Sequence, residues 1–387
     1  MNILTVTTNY PYMLEPCNGI FVRKTVLALR AKSHRVFVIK PVPAVRYLLN
    51  SLRSWTLKPT LSHDAFLKLP IYFGLPLRFT GFRSWALKWN ESQQVKAVIR
   101  AASTLGKIPP STIIYAHFLP SARLALSAFP CIPVVAILGE SDPWYYDEYY
   151  GSSWLETLLS CSAVIAVSEN GYNYYLERCP ALKDRLHFVP NGVDLNLFQP
   201  QDKLECRARL GISSEIKLAV FVGGFEDRKG PLRVLEAARR ADFKVAFLGR
   251  GEQEPLGPEV LVSKSVDQDE LVRWLGAADC FVLPSLSEGR SNAVLEAMAC
   301  GVPVVVSNLP FNTEFVTSKC GALVDGTCPD SIAYGLKSVI NEQHSHSMRL
   351  EARKVAECFS YESRIDNVEA ILETSIDSAS HGLQGDR

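Results

Sequence analysis

Two glutamates eight residues apart, Glu288 and Glu296, stand in the segment Pro284-Ser-Leu-Ser-Glu-Gly-Arg-Ser-Asn-Ala-Val-Leu-Glu-Ala-Met-Ala-Cys-Gly-Val-Pro303. It begins where the apolar run Cys280–Leu283 ends and leads into a helical pattern over Ala293–Cys300. Ser291 or Asn292 can cap that helix, whose first backbone N–H groups are then left at the end of the strand. A helix N-terminus in that place suits an anion such as phosphate. Glu296, one to two turns in, can accept two hydrogen bonds from the vicinal hydroxyls of a ribose. Glu288, at the mouth, can meet a second polyol or a cationic centre. In isolation such a pair reads as a loop carboxylate and a solvated helix residue; its surroundings reverse that reading.

A second group is Phe221-Val-Gly-Gly-Phe-Glu-Asp-Arg-Lys-Gly230, in which a strand, a Gly-rich turn, Arg228 and Lys229 precede a helix. This is the order of parts in a phosphate cradle. It is not a Walker A loop, because no Ser or Thr follows the lysine. A third is His117, which follows the apolar run Thr112–Ala116. The carboxyl ends of parallel strands are where ligand-binding groups collect, although a histidine there can also cap a neighbouring loop.

Such residues need a scaffold of strands that all end on one side. The runs Ile3–Thr7, Val36–Ile39, Thr112–Ala116, Val134–Leu138, Val164–Val167 and His187–Val189 are three to five residues long and apolar on both faces, as are Leu218–Val222, Lys244–Leu248, Cys280–Leu283 and Val302–Val306. Strands buried on both faces belong to parallel sheets covered by helices. Helical patterns fall between them, at Phe21–Ala31, Pro120–Ala128, Trp154–Cys161, Pro231–Arg240, Asp269–Ala277, Ala293–Cys300 and Asp330–Ile340. The βαβ rhythm runs twice, with a break near Asp194–Lys203, and predicts an α/β protein of two doubly wound domains facing across a cleft. The boundaries expected are 1–195 and 196–360, then a helix over 361–376 and a flexible tail over 377–387. Residues 41–100 fit the rhythm poorly.

These motifs together resemble the retaining GT-B glycosyltransferases of family 4. The similarity lies in the Glu288…Glu296 segment, in Val222-Gly-Gly-Phe-Glu-Asp-Arg-Lys-Gly230, in Val189-Pro-Asn-Gly-Val-Asp194 with Phe198-Gln-Pro200, and in Ala278-Asp-Cys-Phe-Val-Leu-Pro-Ser285. Spacing and order agree over residues 185–310. The resemblance implies two Rossmann-like domains, the first for acceptor and the second for nucleotide sugar, with the last helix packing back on the first. It implies transfer of a sugar from a nucleotide diphosphate sugar with retention of configuration, without cofactor or metal. Lys229 would neutralise the diphosphate, Glu296 would bind the ribose, and Glu288 would contact the transferred sugar. Backbone amides around Arg290, Ser291, Asn292 and Ala293 would hold sugar and phosphates, and Val266 would pack on the base. Gly19, in Asn18-Gly-Ile-Phe-Val, would let backbone approach the diphosphate, and His117 would lie near the donor sugar. Two departures stand out: Gly223-Gly224 where many relatives have Gly-Arg, and Leu138-Gly-Glu-Ser-Asp142 where many have His-Gly-x-Asp. Arg228 or Arg290 is expected to supply the missing cation.

Composition narrows the partners. With 41 Lys and Arg against 40 Asp and Glu in 387 residues, the whole chain offers no electrostatic case for nucleic acid. The stretch Arg35–Arg100 holds 11 Lys and Arg against only Asp64 and Glu91, a local net charge of +9, leaving 30 basic and 38 acidic side chains elsewhere. Interleaved with Trp55, Phe79, Trp85 and Trp89, it fits either a face resting on anionic lipid or a solvated surface. The ten cysteines show no C-x-x-C pair and read as buried thiols of a reducing compartment. The N-terminus lacks the form of a signal peptide, and no run reaches 18 apolar residues. The protein is therefore expected in the cytoplasm, peripheral on the inner face of the membrane if the basic stretch binds lipid. The acceptor expected is a saccharide or lipid-linked saccharide, in cell-surface polysaccharide or glycolipid synthesis. The alternatives are a nucleotide-sugar epimerase or phosphorylase of related fold, and a donor-binding protein without transfer.

Overall fold

Each of the ten apolar runs forms a strand, and every pairing between strands is parallel among the described residues. The structure, a computed structural model, describes residues 1–12, 18–45, 47–48, 66–74, 83–109, 111–139, 145–340 and 342–382. The first part of the chain contributes β1 (Asn2–Thr7), β2 (Arg35–Ile39), β3 (Val42–Pro43), β4 (Leu67–Lys68), β5 (Ile71–Tyr72), β6 (Thr112–His117), β7 (Val134–Leu138), β8 (Ala163–Ala166) and β9 (Leu186–Phe188). Seven of them make a sheet in the order β4-β2-β1-β6-β7-β8-β9, and β3 pairs with β5 apart from it. The second part contributes β10 (Leu218–Val222), β11 (Lys244–Leu248), β12 (Val260–Lys264), β13 (Cys280–Leu283), β14 (Val304–Ser307) and β15 (Gly321–Val324), in the order β12-β11-β10-β13-β14-β15. Both orders run outward in two directions from a central pair, β1 beside β6 and β10 beside β13. These are the switch points of doubly wound sheets, where loops leave neighbouring strands toward opposite faces and open a crevice.

The chain divides into one unit of residues 1–167, 171–189 and 365–387 and another of residues 168–170 and 190–364. Each has its own core. In the first, Leu4, Val6, Ile114, Ala116 and Val134 pack with Trp154, Tyr146 and Tyr175. In the second, Phe221, Phe247 and Phe281 pack with Val234, Leu295 and Met298. Burying one such large apolar side chain contributes about 1.5–3 kcal/mol. The helix Pro231–Ala241 shows how the pattern works: Val234, Leu235, Ala237, Ala238 and Ala241 are buried, while Arg239 and Arg240 form ion pairs with Glu236 outside.

Several elements differ from the sequence expectation. Strands β12 and β15 are edge strands with half-exposed residues, so they lack the two-sided apolar signal. Polar helices Arg83–Ser103, Glu169–Arg178, Lys203–Leu210 and Glu342–Glu357 were not resolved by apolar spacing. The break near Asp194–Lys203 belongs to the second unit, because Val193 bridges to Ser360 and Phe198 is wholly buried in that unit's core. The last helix is Tyr361–Gly382, longer than expected, and no tail starts at Asp377. Once Ile365, Val368 and Leu372 are buried, each further residue adds a backbone hydrogen bond at small cost, even in a polar stretch. In the first unit, Lys32 holds Asp366 and Glu369 at 2.5 Å each, and His34 Nε2 lies 2.5 Å from Glu369.

Candidate active site

The Gly-rich turn and the Glu288 loop leave adjacent strands at the second switch point. β10 and β13 pair with Val220 opposite Phe281, so Gly223 and Pro284 follow side by side. After Gly223-Gly224, the buried Phe225 packs on Phe221 and Phe247 and anchors the turn. One turn of 3-10 helix, Asp227–Lys229, brings the chain to the helix that starts at Pro231. The Lys229 stem lies over Gly223, where a β-carbon would sit 2.8 Å from Lys229 Cδ. Only a residue without a side chain allows this approach. Lys229 Nζ reaches the Glu288 carboxylate at 2.9 Å.

Glu288 is held from below. Ser285 Oγ donates to its Oε1 at 3.0 Å, Ser307 Oγ donates to the Ser285 carbonyl, and Asn312 Nδ2 donates to Ser307. Ser285, Ser307 and Asn312 are buried, and the Glu288 side chain is 12% exposed. The sequence reading missed these three supports. Their only signal is a serine two residues past β13, another that ends β14, and an asparagine on the short helix Pro310–Thr313 that follows. Ser291 takes the N-cap position of the helix Asn292–Ala299, and its side chain makes no capping hydrogen bond. Asn292 is the first helical residue, Ala293 packs half-buried against the core, and Glu296 is half-buried in the second turn.

Arg290 is placed otherwise than expected. Its side chain is only 3% exposed, pairs with Glu314 at 2.5 Å, and lies over the rings of Phe315 and Phe359 at 5.0 and 4.7 Å. Burial pulls its pKa below the ordinary value, and Glu314 opposes that pull. A guanidinium so enclosed is not offered to a diphosphate; what Arg290 contributes is its backbone, whose carbonyl accepts from Asn191 Nδ2 at 3.0 Å. Arg228 is bonded within the two loops, to Glu226 at 2.7 Å, to the Ser287 carbonyl and to Glu288 at 3.3 Å. Val266 lies two residues beyond β12, half-buried against the core, ahead of a helix capped by Asp267.

The remaining two residues meet in the first unit, at its own switch point. Gly19 adopts φ +73 at the start of the helix Ile20–Ala31, and a β-carbon there would lie 2.4 Å from the Asn9 carbonyl carbon and oxygen. Glycine is required there by the chain's own backbone, before any ligand is considered. His117 ends β6 in register with Thr7 of β1 and is buried, its ring 5.0 Å from Phe21 and 4.5 Å from Phe118. Phe21 belongs to the helix that Gly19 begins, so loop and histidine form one cluster. Of Leu138-Gly-Glu-Ser-Asp142, residues 140–142 lie outside the described residues.

A cation and a carboxylate thus meet just past two neighbouring strand ends, with a helix starting four residues after the carboxylate, a combination suited to a phosphorylated polyol. Residues 19–197 match the model of Glycosyltransferase Family 4, and residues 202–355 match that of Glycosyl transferases group 1. A Bacillus subtilis (strain 168) protein named as the teichuronic acid biosynthesis glycosyltransferase TuaC is 30% identical over 330 residues, covering 80% of this chain and 81% of that one. The chain belongs to the family 4 glycosyltransferases. A D-inositol 3-phosphate glycosyltransferase of Frankia alni is 32% identical over 225 residues, about half of each chain. Among solved structures, Anabaena Alr3699/HepE, in complex with UDP and glucose, matches 96% of this glycosyltransferase and 99% of its own chain. The TM-score is 0.69 at 15% identity, a likeness of GT-B fold with two Rossmann-like domains.

Proposed function

We propose that this glycosyltransferase moves a sugar from a nucleoside diphosphate sugar to a saccharide or lipid-linked saccharide, with retention of configuration and without a metal ion or cofactor. The observation that carries the reading is Lys229 held at 2.9 Å from Glu288 beside the N-terminus of the helix Asn292–Ala299. In this reading Lys229 and the first amides of that helix stabilise the charge that develops on the leaving diphosphate, by electrostatics fixed before the reaction begins. Glu296 binds the ribose hydroxyls, Glu288 the transferred sugar, and Val266 packs on the base. The family resemblance assigns His117 and Gly19 to the donor as well. The bond from the anomeric carbon to phosphate oxygen breaks as the acceptor oxygen attacks from the same face, and the acceptor's proton passes to the departing phosphate oxygen. The complexes of Alr3699/HepE with UDP and UDP-glucose support a UDP-sugar as the first donor to try. The name of TuaC supports an acceptor from cell-surface polysaccharide.

A lipid face belongs to the same proposal. Among the described residues of 41–100, Phe73 is 80% exposed and Trp89 43%, with Val45 and Leu48 also exposed; residues 46, 49–65 and 75–82 lie outside the described ones. No described helix is long and apolar enough to cross a membrane. The test of function is a panel of nucleotide sugars screened by thermal stabilisation, then incubation of the binding donor with polysaccharide fragments in chelator and NMR of the product. A product with the donor's anomeric configuration supports the reading. An inverted product, or dependence on metal, overturns those parts. Donor binding without transfer to any acceptor favours a binding protein. Sedimentation with anionic but not neutral vesicles, reversed by salt, supports the lipid face.

A further inference from the structure

Arg228 stands beside Lys229 in the turn after β10 and invites the role of a second diphosphate cation. Its contacts point elsewhere. One guanidinium nitrogen, Nη2, is 2.7 Å from Glu226 Oε1 in its own turn. The other, Nη1, donates to the Ser287 carbonyl and lies 3.3 Å from Glu288 Oε1. The Arg228 carbonyl accepts the Leu286 N–H at 2.8 Å, so main chain and side chain both cross to the second loop. The turn that presents Arg228 is closed on itself, the Glu226 carbonyl accepting Lys229 N at 3.0 Å and Gly230 N at 3.2 Å. Both guanidinium ends therefore face carboxylates or a carbonyl of the protein.

We propose that Arg228 is a positioning residue, which fastens the loop after β10 to the loop after β13 so that Lys229 and Glu288 are presented as one rigid pair. The planar guanidinium suits the task because its donors diverge in a fixed fork and reach Glu226, Ser287 and Glu288 together. A lysine carries the charge but not the fork. Without the fastening, Glu288 is left with the Ser285 hydroxyl and Lys229. A displacement of the order of 1 Å in a positioning group can lower turnover about a hundredfold. The proposal rests on the donor reading of Lys229 and Glu288 for its effect on turnover, but the fastening itself is measurable without any ligand.

The experiment compares the wild type with Arg228→Lys and Arg228→Ala. Arg228 is partly exposed, so both variants are expected to fold. Amide hydrogen exchange of the free protein should be roughly tenfold faster at Leu286–Glu288 in both variants, with the helix Asn292–Ala299 unchanged. UDP, titrated by calorimetry, should bind both variants within about threefold of the wild type, while turnover falls by about ten- to a hundredfold. Adding Arg228→Ala to Glu288→Gln should lower turnover no further, since Arg228 acts through Glu288. Unchanged exchange at Leu286–Glu288 would overturn the fastening. Loss of UDP affinity in Arg228→Ala, restored by Arg228→Lys, would overturn it as well and make Arg228 a diphosphate cation. Failure of the wild type to bind any nucleoside diphosphate counts against the donor reading only, and the exchange result still decides the fastening.

Discussion

At the scale of single residues, burial separates the charged groups that hold the protein together from those left for a ligand. Lys229 is a partly exposed cation paired with the carboxylate beside it, and an ammonium has three donors, so those not used by Glu288 can meet a diphosphate. Lys229→Ala should weaken nucleoside diphosphate binding by about 1.5–3 kcal/mol, the worth of a hydrogen bond to a charged group, and nearly abolish turnover. Unchanged affinity in calorimetry removes Lys229 from the donor site. Glu296→Gln should chiefly weaken nucleotide binding, because its carboxylate sits within the helix, whereas Glu288→Gln should chiefly lower turnover of bound donor. Kinetics showing the two effects exchanged would reverse their assigned places. Arg290 is the contrary case. Arg290→Ala leaves Glu314, a side chain only 9% exposed, without its cation, and should destabilise the second unit by about 3–5 kcal/mol in denaturant titration. A loss below about 1 kcal/mol, the range of surface pairs, would show that the pair is solvated.

At the scale of elements, the last helix shows how charge fixes a docking that apolar spacing only permits. Glu369 is held below the ordinary carboxylate range chiefly by its hydrogen bond from Lys32, with His34 adding to the effect and burial opposing it. Its folded pKa lies below the unfolded one, so its contribution is present above about 4.5 and disappears as pH falls through the depressed value. Acidification below that range should increase amide exchange along Ile365–Leu372 before the sheet of the first unit is affected. Glu369→Gln should flatten this acid dependence. The same acid response in wild type and variant would assign the docking to the apolar stripe alone. The edge strands β12 and β15 make a related point. Their partners are lateral hydrogen bonds to β11 and β14, which no residue pattern records.

At the scale of the whole molecule, two separate cores imply two cooperative units. Unfolding followed by heat should show more than one transition, and a nucleoside diphosphate should raise the one that belongs to residues 190–364. A ligand present at a hundred times its Kd stabilises the unit that binds it by about 2.7 kcal/mol. Equal displacement of both transitions would mean that the units unfold together or that both bind the ligand. Local probes, tryptophan fluorescence from Trp154 in one unit and Trp274 in the other, distinguish these outcomes.

The sequence by itself determined ten of the strands, the doubly wound class and the place of Lys229 and Glu288 in turns that follow strand ends. It could do so because two-sided burial, strand-to-helix punctuation and glycine are local features, printed within ten or twenty residues. Tertiary structure alone decided the fate of each arginine. Nothing local distinguishes Arg290, enclosed by Phe315, Phe359 and Glu314, from Arg228, which bridges to Ser287 fifty-nine positions away. Nor does the neighbourhood of Glu288 in sequence reveal Ser307 and Asn312 beneath it. A long charged side chain takes its role from whatever the fold brings within about 3 Å of its tip, and that is set by chain segments far apart in sequence.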